Sequence, residues 1–138
     1  MSVNPYQKYK VAQYSTASPE QLLLMLYDGA IKFARQARKD MEEKNIEAAN
    51  NKLKRAEDII SELMVSLNME EGGEIARNLY NLYDYMNRRL IQANIRKDPA
   101  LVDEVINLLS SLKESWEEAI SKVRSQVLQN AGGLNIEG

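Results

Sequence analysis

Helix breakers are scarce in this 138-residue chain, and their positions divide it into long uninterrupted stretches. Proline occurs only at 5, 19 and 99, and glycine only at 29, 72, 73, 132, 133 and 138. A sheet protein needs turn signals about every 8–12 residues, and these are missing. The intervening stretches are rich in Leu, Glu, Lys and Ala, so the chain reads as all-α. Ser18, Pro19 and Gln21 form a helix start, as N-cap, first helical residue and capping-box partner. Leu22, Leu26, Ala30, Phe33, Ala37 and Met41 then recur on one face. Asn45 is placed to cap a second helix with the stripe Ile46, Ala49, Leu53, Ala56, Ile60, Leu63 and Leu67. After a break at Asn68 to Gly73, a third helix carries Ile75, Leu79, Leu82, Met86, Leu90 and Ala93. Asp98 and Pro99 begin a fourth. The spacing predicts an antiparallel four-helix bundle with helices near 19–43, 46–67, 74–97 and 99–123. Three regions follow from this: an N-terminal arm or cap at 1–17, the bundle at 18–123 and a frayed polar tail at 124–138.

Composition narrows the chemistry. The chain has no cysteine and no histidine, which removes disulfides, thiol nucleophiles, Cys/His metal sites and His-based triads. Glu42–Glu43, Glu70–Glu71 and Glu117–Glu118 do not make a di-iron carboxylate bundle, because its Glu-x-x-His motifs require histidine. No catalytic constellation survives, and no cofactor is expected. With 18 basic and 20 acidic residues the net charge is −2, a poor basis for sequence-blind nucleic-acid binding. Tyr80, Tyr83, Tyr85, Arg88 and Arg89 could stack on RNA, but packing and helix-dipole pairing account for them more simply. The longest apolar run, Leu22 to Tyr27, has six residues, against about 18 for a membrane span. No secretory leader is visible, and a cytoplasmic location is expected.

Two features exceed what a self-contained bundle requires. Helix four carries two apolar stripes, one of Leu101, Val105, Leu108, Leu112, Ala119 and Val123, the other of Val102, Ile106, Leu109, Trp116 and Ile120. Together they cover more than the roughly 100° arc that one core needs. Helix four is then either wedged between two neighbours or partly uncovered as a groove for an amphipathic helix. Val102, Ile106 and Leu109 are the candidate groove residues, as the stripe least needed by the bundle. The second feature is the arm, whose Tyr6, Tyr9 and Tyr14 accompany Val3 and Val11. Tyrosine suits a surface that is sometimes wet and sometimes covered. Gly29, inside helix one, permits close approach of a bundle neighbour or of a bound chain.

The residues also carry a resemblance. Thr16-Ala17-Ser18-Pro19-Glu20-Gln21-Leu22 and the continuation Met25-Leu26-Tyr27-Asp28-Gly29-Ala30 resemble the signature of the flagellar secretion chaperone family, FliS, which binds flagellin. Gly72-Gly73-Glu74-Ile75-Ala76, Arg88-Arg89-Leu90, Ala93-Asn94, Leu108-Leu109 and Trp116 are similar to the family pattern as well. The likeness runs from about Asn4 to Ile120. It implies a four-helix bundle with a removable N-terminal cap, in which Tyr6 and Tyr9 match positions that serve both capping and client binding. Tyr14 departs from the pattern, in which a small aliphatic residue is common. The resemblance further implies a cytoplasmic, non-enzymatic partner for the disordered C-terminal segment of flagellin, bound one-to-one. Such a protein prevents premature polymerisation and assists delivery to the flagellar type III export apparatus. The sequence leaves open whether a flagellar regulatory protein shares the surface. The competing class is a structural bundle that dimerises through helix four.

Overall fold

A computed structural model describes residues 17–137, with side chains through 131. Four helices make up this region: α1 (Pro19–Glu42), α2 (Ile46–Ser66), α3 (Met69–Arg96) and α4 (Pro99–Glu137). There is no strand among the described residues. The first helix starts as its sequence dictates. Ser18 Oγ accepts from the Gln21 N–H at 3.2 Å, and Gln21 Oε1 accepts from the Ser18 N–H at 3.0 Å. Asp98 Oδ1 accepts from the Ala100 N–H at 3.0 Å at the head of α4. Asn45 precedes α2 without a side-chain capping bond.

Both turns at one end of the bundle rest on a lysine in the left-handed region, Lys44 (φ 60°) and Lys97 (φ 55°). The α2–α3 connection, at the other end, is different. Asn68 caps a single turn, Met69 to Gly72, and Gly73 then breaks the helix at φ 52°, ψ −127°. An L side chain is strained there, so glycine is what allows α3 to begin with that extra turn. The sequence reading starts α3 at 74, because it treats the two glycines as a loop.

Each helix packs against its two sequence neighbours around the square, α1 also meeting α4, as an up-down bundle requires. The core takes Ala30, Ala34 and Ala37 from α1 and Leu53, Ala56, Ile60 and Leu63 from α2. Met86, Leu90 and Ala93 come from α3, and Val102, Val105, Ile106 and Leu109 from α4. Small residues on α1 and α2 let those two helices approach closely. On α1 the core arc is turned relative to the expected stripe: Tyr27 and Ile31 are buried, whereas Leu22, Leu26 and Phe33 are only half-buried. Ile46 and Ile75, both expected in the core, are exposed.

α4 corrects the sequence reading of its two stripes. Val102 and Leu109 are fully buried and Ile106 is 8% exposed, so this stripe is core and not an uncovered groove. Leu101, Leu108 and Leu112, from the other stripe, form the half-buried edge. The helix also continues to Glu137, through the segment expected to fray. Two pairs fix its register on α1: Lys113 Nζ lies 2.5 Å from Asp28, and Arg38 bonds Asp103. In this antiparallel register α1 begins opposite about residue 122 of α4, so the last turns of α4 overhang the bundle.

Candidate partner-binding surfaces

Seven of the large exposed apolar residues gather toward one end, where α1 begins, α2 meets α3 and α4 overhangs. They are Val65, Met69, Ile75, Tyr80, Val123, Val127 and Leu128. Val65 is 85% exposed and Ile75 72%. Single exposed apolar residues need no explanation, but here more of them lie toward this end of the bundle than toward the other.

Two concave seats lie in this region. The first is a groove of about 550 Å³ between α1 and α2, lined by Leu22, Met25, Leu26, Gly29, Phe33 and Ile59, with Lys32 and Glu62 at its rim. Gly29 is part of its floor. A Cβ built there would sit 3.1 Å from Ile59 Cδ1, so any larger residue would crowd that side chain of α2. Of the two neighbours that the sequence permits for Gly29, the bundle neighbour is present. The Arg55 guanidinium lies 5.4 Å from the Phe33 ring centre.

The second seat is a shelf of about 400 Å³ where the overhang of α4 passes the first turn of α1. Trp116, Ala119, Ile120, Val123, Val127 and Leu128 form its apolar face, with Glu20 and Arg124 at the edge. Val123 and Val127 are each 60% exposed. The signal for the shelf was in the sequence: Trp116, Ile120, Val123 and Val127 follow one another at spacings of 4, 3 and 4. The polar residues between them, and Gly132-Gly133 beyond, obscured it.

Beneath the shelf three helices meet in a polar cluster inside the apolar core. The Tyr27 and Tyr83 hydroxyls are hydrogen-bonded, with ring centres 6.3 Å apart, and the Trp116 indole N–H donates to the Tyr27 hydroxyl at 3.1 Å. Burial, and secondarily the bond to Tyr83, push the Tyr27 phenol far above its ordinary pKa; Trp116 opposes this weakly. Burial raises Tyr83 as well, against its hydrogen bond to Tyr27 and the nearby Trp116 indole. Both phenols therefore stay protonated at any physiological pH and act as hydrogen-bonding groups. Tyr80, on the same helix as Tyr83, points outward. Arg89 Nε lies 3.0 Å from Glu104 and 2.9 Å from the Tyr85 hydroxyl, tying α3 to α4 and leaving that cluster engaged within the bundle.

The described residues contain no group of three or more acidic side chains arranged to hold a metal. None of the described helices is long and apolar enough to cross a membrane. Tyr6, Tyr9 and Tyr14 lie outside the described residues.

Comparisons with known proteins agree with this architecture. A family model described as "Flagellar protein FliS" matches residues 2–123. The flagellar secretion chaperone FliS of Salmonella typhimurium is 45% identical over 112 residues, covering 80% of this chain and 83% of its own. The Vibrio cholerae protein of the same name is 40% identical, covering 85% and 87%. The Bacillus subtilis protein, also of that name, is 37% identical, covering 95% and 96%. A crystal structure of a bacterial flagellar chaperone superposes with a TM-score of 0.71 at 19% identity, over 85% of this chain and 95% of that one. At that identity the superposition speaks for the fold alone.

Proposed function

Because the chain belongs to the FliS family of flagellar secretion chaperones, we propose that it binds the disordered C-terminal segment of flagellin one-to-one in the cytoplasm. Binding would prevent polymerisation before export and carry the subunit to the flagellar export apparatus. The observation that carries the reading is the pair of apolar seats flanking the first turns of α1. One runs along the α1–α2 groove and the other along the α4 overhang. A segment that folds on binding gives up conformational entropy, so it needs extended apolar surface to recover affinity. Two separated seats suit a segment that lays down short helices in succession, whereas a single deep pocket suits a small ligand.

The arm completes the proposal. Residues 1–17 carry Lys8 and Lys10 and no acid, with Tyr6, Tyr9 and Tyr14 as apolar contacts. The first turn of α1, which follows them in sequence, carries Glu20 at the edge of the shelf. In this reading the arm residues cover apolar surface in the free protein and yield it to the client, which lowers self-association at some cost in apparent affinity.

The experiment is titration of the full chain with the C-terminal segment of the flagellin from the same cell, beside a flagellin polymerisation assay. The expected results are a one-to-one complex and suppressed polymerisation. Val123→Asp, at an exposed position, should weaken binding by about tenfold or more without changing the melting temperature appreciably. A chain that does not bind the segment, or that self-associates through α4 instead, would overturn the reading.

A further inference from the structure

Tyr27 lines neither seat, since it is fully buried. Its hydroxyl nevertheless accepts the one hydrogen bond that the indole of Trp116 can donate, at 3.1 Å. Trp116 is half-buried, with its N–H directed inward to Tyr27 while the side chain forms part of the shelf. An indole at such a boundary has two ways to satisfy its donor: a buried acceptor, or rotation of the ring toward water. The Tyr27 hydroxyl supplies the buried acceptor. It is held in turn by Tyr83 on α3, so the acceptor has little freedom to move away.

Packing does not require either hydroxyl. Two phenylalanines would fill nearly the same volume and would bury no polar atom, which otherwise costs stability unless it is paired. What the hydroxyl of Tyr27 adds is direction. We infer that Tyr27 is a positioning residue for client binding: through its hydrogen bond to the Trp116 indole it holds that ring in the wall of the α4 shelf. This rests on the reading that the shelf receives the flagellin segment. The device links the core of α1 and α3 to the part of α4 that makes the shelf.

The test uses the full chain and its sole tryptophan, which reports its own surroundings. Tyr27→Phe keeps the ring and removes the acceptor, and a second variant adds Tyr83→Phe because the adjoining Tyr83 hydroxyl also lies near the indole. In the free protein, the Trp116 emission should shift to the red and acrylamide should quench it more strongly than in the parent. Affinity for the flagellin C-terminal segment, measured well below each variant's melting temperature, should fall by about tenfold, the scale of one hydrogen bond. In a Trp116→Phe background the same Tyr27→Phe change should alter affinity by less than about twofold, because the group it positions is gone. A merely structural hydroxyl would lower the melting temperature while leaving emission, quenching and affinity at parent values. That outcome, or an equal loss of affinity in both backgrounds, would overturn the inference. If the parent itself fails to bind the segment, it is the shelf reading that fails. The quenching comparison then still decides whether Tyr27 seats Trp116.

Discussion

Glu57, on α2, shows how a single side chain can work against the fold at neutral pH. It is half-buried, and burial, reinforced by the neighbouring Asp58, raises its pKa; Lys54 offsets this only in part. The folded state therefore holds the proton more tightly than the unfolded chain does. Its contribution to stability is present below the unfolded carboxylate pKa and is lost as pH rises through the raised folded value. At pH 7 the ionised group is a net liability, so Glu57→Gln should melt slightly higher than the parent there. The advantage should shrink to nothing as pH falls through the carboxylate range. Thermal melts across that range check it; a variant less stable than the parent at pH 7 would mean that the Lys54 attraction outweighs burial. No such environment can be read from residue type. Glu57 looks like any acid on a helix surface, and only its neighbours in space distinguish it. Tyr27 was similar: the sequence marked it as one letter of a family signature, while its hydrogen-bonding role needed Tyr83 and Trp116 brought to it from two other helices.

At the level of the helix, legibility depended on how many stripes a segment offers. α2 has one seam, and five of its seven expected positions, Ala49, Leu53, Ala56, Ile60 and Leu63, are buried, while Ile46 at its start is exposed and Leu67 at its end is half-buried. α4 has two seams side by side between Leu101 and Leu112. Periodicity establishes that both exist and says nothing about which faces inward, because rotation of a helix about its axis is set by its partners. The pairs Arg38–Asp103 and Arg89–Glu104 hold α4 between α1 and α3, with Val102, Ile106 and Leu109 turned into the core. Ile106→Asn should accordingly destabilise by about 3–5 kcal/mol, from lost apolar burial and a stranded amide. Leu101→Asn, on the half-buried edge, should cost distinctly less. Denaturant unfolding of the two variants decides the point, and a greater loss at Leu101 would return the inner role to the other stripe. The break between α2 and α3 was legible in Gly72-Gly73, but the turn of helix before it was not, because Met69-Glu70-Glu71 has no repeating pattern to detect.

For the molecule as a whole, the consequential feature is its polarity from end to end. The bundle proper closes at the end bearing Lys44 and Lys97, and it carries most of its large exposed apolar side chains toward the other. The overhang of α4 is central to this asymmetry. Residues 124–131 are all exposed and make no ion pair among the described residues, so the bundle has little need of them. Yet Val127 and Leu128 extend the shelf beyond the reach of α1. A chain ending at Val123 should therefore keep the bundle, with a melting temperature within about 3 °C of the parent. Its effect on binding should be much larger. Covering a Val or Leu side chain contributes about 1.5–3 kcal/mol before ordering costs are subtracted, so losing two such contacts should weaken flagellin binding by about tenfold or more. Calorimetric titration beside thermal melts separates the two effects. A truncated chain that melts and binds as the parent does would confine the client to the α1–α2 groove, and the overhang would then be a helix without a docking role. A truncated chain that unfolds would show instead that the last turns of α4 brace the open end of the bundle.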